Sequence, residues 1–427
     1  MTSTMRRVGA TVGVCLAAAL VAGSVVVDAE PARADQVRDL EYWLGEYGFN
    51  QAWGTSRGAG VKVAVIDTGV DGSVADLAGA VVGGTDVSGL GSPNGQQPVG
   101  GDNPAHGTLV ASLLAGRGTG PDSGIIGVAP EASILSVSVA FGTSTSEVSS
   151  DDQIAQAVRW SVDNGASVIN MSLTRNTPDW PTSWDDAFLY AFENDVVVVV
   201  AAGNRGSGTV AVGAPATIPG VLTVAGVDRN KEASFDASSQ GITISVAAPS
   251  EELVGVVPGG GYVKWNGTSA AAPIVSGLVA LVRSAYPDLD AAGVMNRIIG
   301  TANPNGKDVP SPIYGNGLID AAAAVTANVP ATTSPTPAEQ LTEWIRIHRR
   351  AEAPSAEPAP APPVVEPVPP KDDPALPAPD PMAAWLPNQL TLTYITVPLA
   401  VLVGFGILGT LFGIGATRRF KRTSRMQ

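Results

Sequence analysis

Cysteine is almost absent from this chain of 427 residues: there is one, Cys15, and it lies in an N-terminal apolar run. Arg6 and Arg7 make a short basic start, Val8–Val27 carries no charge, and Ala32-Arg33-Ala34 offers the small-x-small pattern of an export-signal cleavage site. The bulky Val14 directly before Cys15 argues against a lipoprotein cut. Removal of residues 1–34 leaves no cysteine, so neither a disulfide framework nor a cysteine-based site is available, although the expected compartment is oxidising.

Positive charge is also scarce. Against 39 Asp and Glu stand 25 Lys and Arg, a formal charge of −14. The N-terminal segment accounts for +1 and the last ten residues for +5, which leaves −20 on residues 35–417. Binding to nucleic acid rests on neutralising phosphates with Lys and Arg, so a surface this acidic argues against such a partner.

One long uncharged run does occur near the other end. Residues 390–417, "LTLTYITVPLAVLVGFGILGTLFGIGAT", exceed the about 20 residues a helix needs to cross a bilayer. Five basic residues and no acid follow in 418–427, and positive charge marks the cytoplasmic side. A signal peptide and a C-terminal anchor agree on one orientation, a single-pass membrane protein with its bulk outside the cytoplasm. Between 330 and 387 lie 16 of the 34 prolines, so residues 330–389 read as an extended, semi-rigid spacer without a core. One island in it, "LTEWIRIHRR" (Leu341–Arg350), has a helix-like mix of apolar and basic residues and is open to docking on the domain or on a partner.

Residues 58–329 fit one α/β domain, preceded by a short extension, 35–57. "VKVAVID" (Val61–Asp67), "SILSVSV" (Ser133–Val139), "SVINMS" (Ser167–Ser172), "VVVVVAAG" (Val196–Gly203), "LTVAGV" (Leu222–Val227) and "ITISVAA" (Ile242–Ala248) read as strands buried on both faces. "DQIAQAVRWSVDNG" and "SWDDAFLYAFEND" between them show helical spacing. That alternation predicts a central, mainly parallel sheet flanked by helices. "ELVGVVPGGGYVKW" (Glu252–Trp265) reads as a hairpin around Pro258–Gly261.

Functional groups in parallel sheets collect at the carboxyl ends of strands. Asp67 closes the first strand, where a carboxylate is costly without a partner; the plainer reading is a turn cap for Thr68-Gly69. His106 opens "HGTLVASLLAG" and is the only histidine of the globular region, His348 being in the spacer; taken alone, a packed or capping histidine is the commoner case. Asn204 ends "VVVVVAAGN", either as a turn residue or as an amide donor for a developing oxyanion. Ser269, in "WNGTSAAAPIVSGLVALV", sits where a loop enters a helix, either as a cap or as a nucleophile served by helix N-terminal amides. A nucleophilic serine needs a base and an acid to orient it, and the chain offers Asp67, His106 and Ser269 in that order.

"VAVIDTGV", "HGTLVASLLAG", "AAGN" and "NGTSAAAPIVSG", in this order and spacing, resemble the subtilisin-like serine proteases over nearly all of Gly58–Ala324. The resemblance implies the subtilisin three-layer fold and a serine endopeptidase needing no cofactor. In it Ser269 attacks the scissile carbonyl, His106 acts as general base and then acid, and Asp67 holds the imidazole. Asn204, with the Ser269 amide, would form the oxyanion hole, and Ser172, Leu173 and Gly203 would line the substrate. Structural calcium is common among such proteases; "GPDSG" and "EVSSDD" are the acidic loops available for it, and solvated loops explain them equally well, so no metal ligand is assigned.

Three further absences matter. After Ser172-Leu173, Thr174 and Arg175 stand where the family usually has two glycines, which puts the S1 pocket in doubt. After Ser269 stands Ala270, where many relatives carry an oxidisable Met. The extension before the first strand, about two dozen residues, is too short for an independent inhibitory domain, and its Trp43, Tyr47, Phe49 and Trp53 are expected to pack on the body. Short extension, Pro-rich spacer, single C-terminal helix and basic tail together resemble the mycosins, membrane-anchored proteases of type VII secretion; the lack of cysteine departs from mycosins with disulfides. That resemblance implies cleavage of exported proteins and partnership with the secretion membrane complex. The competing readings are a general cell-surface protease and a mainly structural scaffold of such a complex.

Overall fold

The computed structural model describes residues 34–100, 103–141 and 146–349. The expected signal segment (but for Ala34), transmembrane segment and basic tail, and the spacer beyond 349, lie outside the described residues. Three short helices come first, α1 (Ala34–Leu40), α2 (Tyr42–Glu46) and α3 (Phe49–Ala52). Then follow β1 (Lys62–Asp67), β2 (Val81–Asp86), α4 (His106–Ala115), β3 (Ser133–Ser138), α5 (Ser150–Asp163) and β4 (Val168–Met171). The middle of the chain gives α6 (Thr182–Glu193), β5 (Val197–Ala201), β6 (Leu222–Val227), β7 (Ile244–Pro249) and the pair β8 (Leu253–Val256) and β9 (Tyr262–Trp265). Helices α7 (Thr268–Ala285), α8 (Ala291–Gly300), α9 (Ala321–Thr326) and α10 (Pro337–His348) complete the order.

Seven strands form one sheet in the order β2-β3-β1-β4-β5-β6-β7, every pair parallel. β1, β4, β5 and β6 are buried almost throughout because Val, Ile and Ala fill both of their faces. Helices α4 and α7 pack together on one face, α5 and α6 on the other. The order reverses between β1 and β4, which opens a crevice at their carboxyl ends, where Asp67 and Ser172 stand. β8 and β9 form the expected antiparallel hairpin.

Two strands depart from the pattern read in the sequence. β2 was not legible, because Gly83 and Gly84 interrupt its apolar run. Gly84 is required there, since a Cβ would collide with the backbone of Asn94 and Ser136. β7 begins two residues after Ile242, whose side chain is almost fully exposed.

The extension packs on the body: Trp43, Tyr47 and Phe49 are buried, and the Trp53 indole donates to the Val128 carbonyl (2.8 Å). Inside it Glu41 is buried, accepts from the Ile126 amide (3.0 Å) and pairs with Arg38 (3.4 Å). Burial pushes its carboxyl well above the ordinary range, and the nearby Asp76 charge adds to this against the opposing pull of Arg38 and the Ile126 amide.

The described part of the 341–350 island, 341–349, docks on the domain. Thr336 and Glu339 form a reciprocal capping box with Pro337 at the first turn of α10, a strong start for an isolated helix. α10 packs on α6: Leu341 is buried, Trp344 lies 4.3 Å from Trp180, and Arg349 pairs with the buried Asp185 (2.8 Å).

Among the described residues one helix, α7, is long and apolar enough to cross a membrane, and it is the buried core helix of the fold.

Candidate active site

β1 delivers Asp67 to the crevice with its side chain 2% exposed. One carboxylate oxygen accepts from the Thr68 amide (2.7 Å), and both face His106 Nδ1, at 2.8 and 3.0 Å. His106 is the first residue of α4. The preceding loop is fixed by Thr68, whose hydroxyl donates to the Pro104 carbonyl (3.1 Å) and accepts from the Gly107 amide (2.9 Å). Position 107 must be glycine for this approach, because a Cβ would run into the Gly69 carbonyl. The imidazole is a fifth exposed and meets Trp265 edge-on, 5.7 Å between ring centres. Burial alone would depress its pKa, but the charge and hydrogen bond of Asp67 outweigh that and raise it above the usual 6.5.

Ser269 is the second residue of α7, and it does not cap the helix, since no side-chain cap bond is made there. Its hydroxyl donates to the Ser172 carbonyl (3.1 Å), and the Ser172 hydroxyl donates in return to the Ser269 carbonyl (2.8 Å). Pro273 explains the second bond. Four residues after Ser269, it has no N–H to give the Ser269 carbonyl, and the hydroxyl from β4 takes that place. Behind this clasp, Asn170 donates to the Ser172 hydroxyl (3.0 Å) and accepts from Ser276 (2.8 Å), both wholly buried.

Asn204 follows β5. Its Oδ1 accepts from the backbone amide of Thr268 (2.8 Å) and from the Thr268 hydroxyl (2.9 Å). A backbone amide can only donate, so the carboxamide orientation is fixed and Nδ2 is turned over Gly267, left free as a donor. The Thr268 hydroxyl also receives the Gly203 amide (3.1 Å), tying β5 to α7.

The structure thus brings Asp67 into direct contact with His106, Ser172 with Ser269, and Asn204 with the residue before Ser269. Leu173 lines a cavity of about 520 Å³ together with Phe141, Ile154, Arg175 and Trp184. Local reading missed Trp265, Thr268, Asn170 and Ser276. Of these Thr268 carried a signal, through its place in the Gly-Thr-Ser turn; Asn170 joins through Ser172, two residues on, and Trp265 and Ser276 join through contacts distant in sequence. Among the described residues no group of three His, Cys, Asp or Glu is placed to hold a metal ion. In the acidic loop, Asp151 pairs with Arg175 (2.8 Å) and the Asp152 amide donates to the Ser149 cap.

Asp67 clasped to His106 at the end of β1, and Ser269 tied to the segment after β4, stand at the carboxyl edge of one all-parallel sheet, the placement that α/β serine hydrolases use. Comparison with known proteins makes this specific: residues 58–317 match the model of the subtilase family, peptidase S8. Subtilisin DY of Bacillus licheniformis is 39% identical over 272 residues, 63% of this chain and 92% of that protein. Mycosin-4 of Mycobacterium tuberculosis is 36% identical over 354 residues, 71% of this chain and 72% of that protein. Among solved structures, MycP1 from the ESX-1 type VII secretion system superposes with a TM-score of 0.58 at 32% identity, covering 69% of this chain and 88% of that one. MycP3 from the ESX-3 system gives 0.57 at 33% identity, covering 70% and 89%. The chain belongs to the subtilase family; it is a mycosin-like subtilisin, a serine endopeptidase that hydrolyses peptide bonds.

Proposed function

We propose that the chain is a membrane-anchored, extracytoplasmic mycosin whose nucleophile is Ser269, with His106 as general base and Asp67 as its orienting acid. The observation that carries the site assignment is the clasp of His106 Nδ1 by both Asp67 oxygens. It commits Nδ1 to its proton and leaves Nε2 to accept one. In the reaction the Ser269 hydroxyl turns from the Ser172 carbonyl to His106, gives up its proton and attacks the scissile carbonyl. The imidazolium so formed is stabilised by Asp67 and then protonates the leaving amine. Negative charge on the tetrahedral oxygen falls to Asn204 Nδ2 and the Ser269 amide, and Thr268 keeps the carboxamide aimed. No metal or cofactor takes part in these steps.

The wider role rests on the sequence and on the relatives. An export signal in 1–34, an extension in 35–57, a protease domain in 58–329, a spacer in 330–389, a transmembrane helix in 390–417 and a cytoplasmic tail in 418–427 would tether the protease outside the membrane. Two of the similar solved structures come from type VII secretion systems, which supports an exported protein as substrate and the secretion membrane complex as partner. The test is a tagged full chain in its own host. It should leave the membrane fraction only with detergent and bring secretion-complex proteins with it. Ser269→Ala should keep that association and lose cleavage of an exported substrate. Recovery as a soluble extracellular protein would refute the anchor, and unchanged cleavage by Ser269→Ala would refute the site.

A further inference from the structure

We infer that Thr174 fills the S1 site and restricts the residue whose carbonyl is attacked to a small, uncharged one: Gly, Ala or Ser. The inference rests on the proposed roles of Ser269 and Asn204. With a carbonyl held between Ser269 Oγ and Asn204 Nδ2, the side chain of that residue must leave between the chain segments following β4 and β5. These are Ser172–Thr174 on one side and Ala202–Asn204 on the other, each tied to the start of α7.

That space is occupied. A Cβ on Gly203 would stand 3.2 Å from Thr174 Cγ2, 2.8 Å from Thr209 Cγ2 and 2.9 Å from Ser239 Oγ. A Cβ on Gly213 would stand 2.9 Å from Thr174 Oγ1 and collide with the Arg175 carbonyl. The Thr174 side chain therefore lies between the two glycines, where a glycine at 174 would leave a slot. Its hydroxyl is held down by donating to the Arg175 carbonyl (3.2 Å), and as a β-branched residue it has few rotamers by which to move aside.

Among the described residues the charged neighbour of Thr174 is Arg175, which borders the cavity it shares with Thr174 and Asp151. The Arg175 guanidinium turns away, bonding Asp151 (2.8 Å) and lying 5.5 Å from the Trp184 ring in the neighbouring cavity. The Thr209 hydroxyl donates to Asn176, and Ser239 donates to the Thr209 carbonyl. With their protons so engaged, these hydroxyls have none to give a Glu carboxylate, and with no carboxylate among Thr174, Thr209 and Ser239 to pair a Lys or Arg, burying such a side chain is costly.

The test uses the purified full chain in detergent and internally quenched peptides that differ only at the residue before the scissile bond: Gly, Ala, Ser, Leu, Phe or Lys. Wild type should favour Ala or Ser over Phe by about 100-fold or more in kcat/KM, at the upper end of what pocket shape alone provides. Thr174→Gly should raise the Phe-to-Ala ratio of kcat/KM by about 10-fold or more, carried by a gain for Phe. A wild type that prefers Leu, Phe or Lys overturns the inference, and so does a folded Thr174→Gly with an unchanged ratio. Should that variant fail to fold, the wild-type preference and the milder Thr174→Ser decide. Labelling of Ser269 by a fluorophosphonate without a peptide side chain is run in parallel. Labelling with the wrong preference sinks this inference alone, whereas absent labelling of folded protein sinks the nucleophile assignment beneath it.

Discussion

Replacing Asp67 with Asn should cut turnover by about 10⁴-fold while leaving the fold intact. Both carboxylate oxygens lie at or within 3.0 Å of His106 Nδ1, so the imidazolium formed in the transition state sits about 4 Å, charge centre to charge centre, from a negative charge. At the effective dielectric of a partly exposed site that attraction is worth about 4 kcal/mol, near 10³-fold in rate. The remaining decade comes from the tautomer. The Thr68 amide holds the new oxygen at its 2.7 Å acceptor position, so the NH₂ takes the other site, 3.0 Å from Nδ1, where a donor facing a donor favours moving the ring proton to Nε2 and removes the base. Because the Thr68 bond survives, the melting temperature should stay within a few degrees of wild type. The pH profile gives a second reading. Asp67 raises the His106 pKa, so the neutral, competent imidazole accumulates only above 6.5 and the rising limb of kcat/KM lies there; in Asp67→Asn the limb should shift down. Stability runs the other way, since the imidazolium–carboxylate pair contributes fully below the unfolded value of 6.5 and is lost as pH rises through the raised folded value. The assays are peptide hydrolysis and the second-order rate of fluorophosphonate labelling, each across pH. A folded Asp67→Asn within tenfold of wild type at neutral pH would refute the reasoning.

Three other outcomes are expected. Burial raises the Glu41 pKa, so the folded state binds the proton more tightly than the unfolded state and stability falls as pH rises from about 4.5 toward that value. Glu41→Gln should flatten this trend in thermal melts between pH 5 and 8, and an unchanged slope would show that another group sets it. Arg349→Ala strips Asp185, which is 6% exposed, of its cation and leaves it only the Trp180 indole (2.6 Å). With Arg349 28% exposed, the loss should be about 1–2 kcal/mol, read as a drop of about 2–6 °C in melting temperature; no drop would mean that α10 is not held there. Peroxide should inactivate the enzyme slowly, because Ala270 follows Ser269 and the described methionines, Met171 and Met295, are buried. Rapid loss of activity with oxidation of either would contradict this.

Much of the scaffold was legible because β1, β4, β5 and β6 are short, mostly Val, Ile, Leu and Ala runs separated by helical segments, the pattern of a parallel sheet covered on both faces. β2 escaped because its glycines serve backbone crowding rather than a face, and α10 escaped the domain boundary because prolines surround it. At the candidate site, Asp67, His106, Asn204 and Ser269 each have a plainer reading alone, as cap, packed or turn residue, and only the four motifs in order point to a nucleophile, a base, its orienting acid and an amide donor. What could not be read is how they are aimed. The return bond from Ser172 follows from a carbonyl that Pro273 leaves open, and the Asn204 amide is aimed by Thr268, 64 residues away. The sequence placed Thr174 and Arg175 together in the pocket question, but opposite rotations of their side chains send one between two glycines and the other to Asp151.

The central claim is that Ser269 is the nucleophile, and the most direct measurement is the site of a covalent adduct. The purified full chain is incubated with a fluorophosphonate, digested and read by mass spectrometry, beside Ser269→Ala and His106→Ala. One phosphonylated residue, Ser269, with no labelling in either variant, is the predicted result. A folded wild type that remains unlabelled, or an adduct on another serine that persists in Ser269→Ala, would contradict the account.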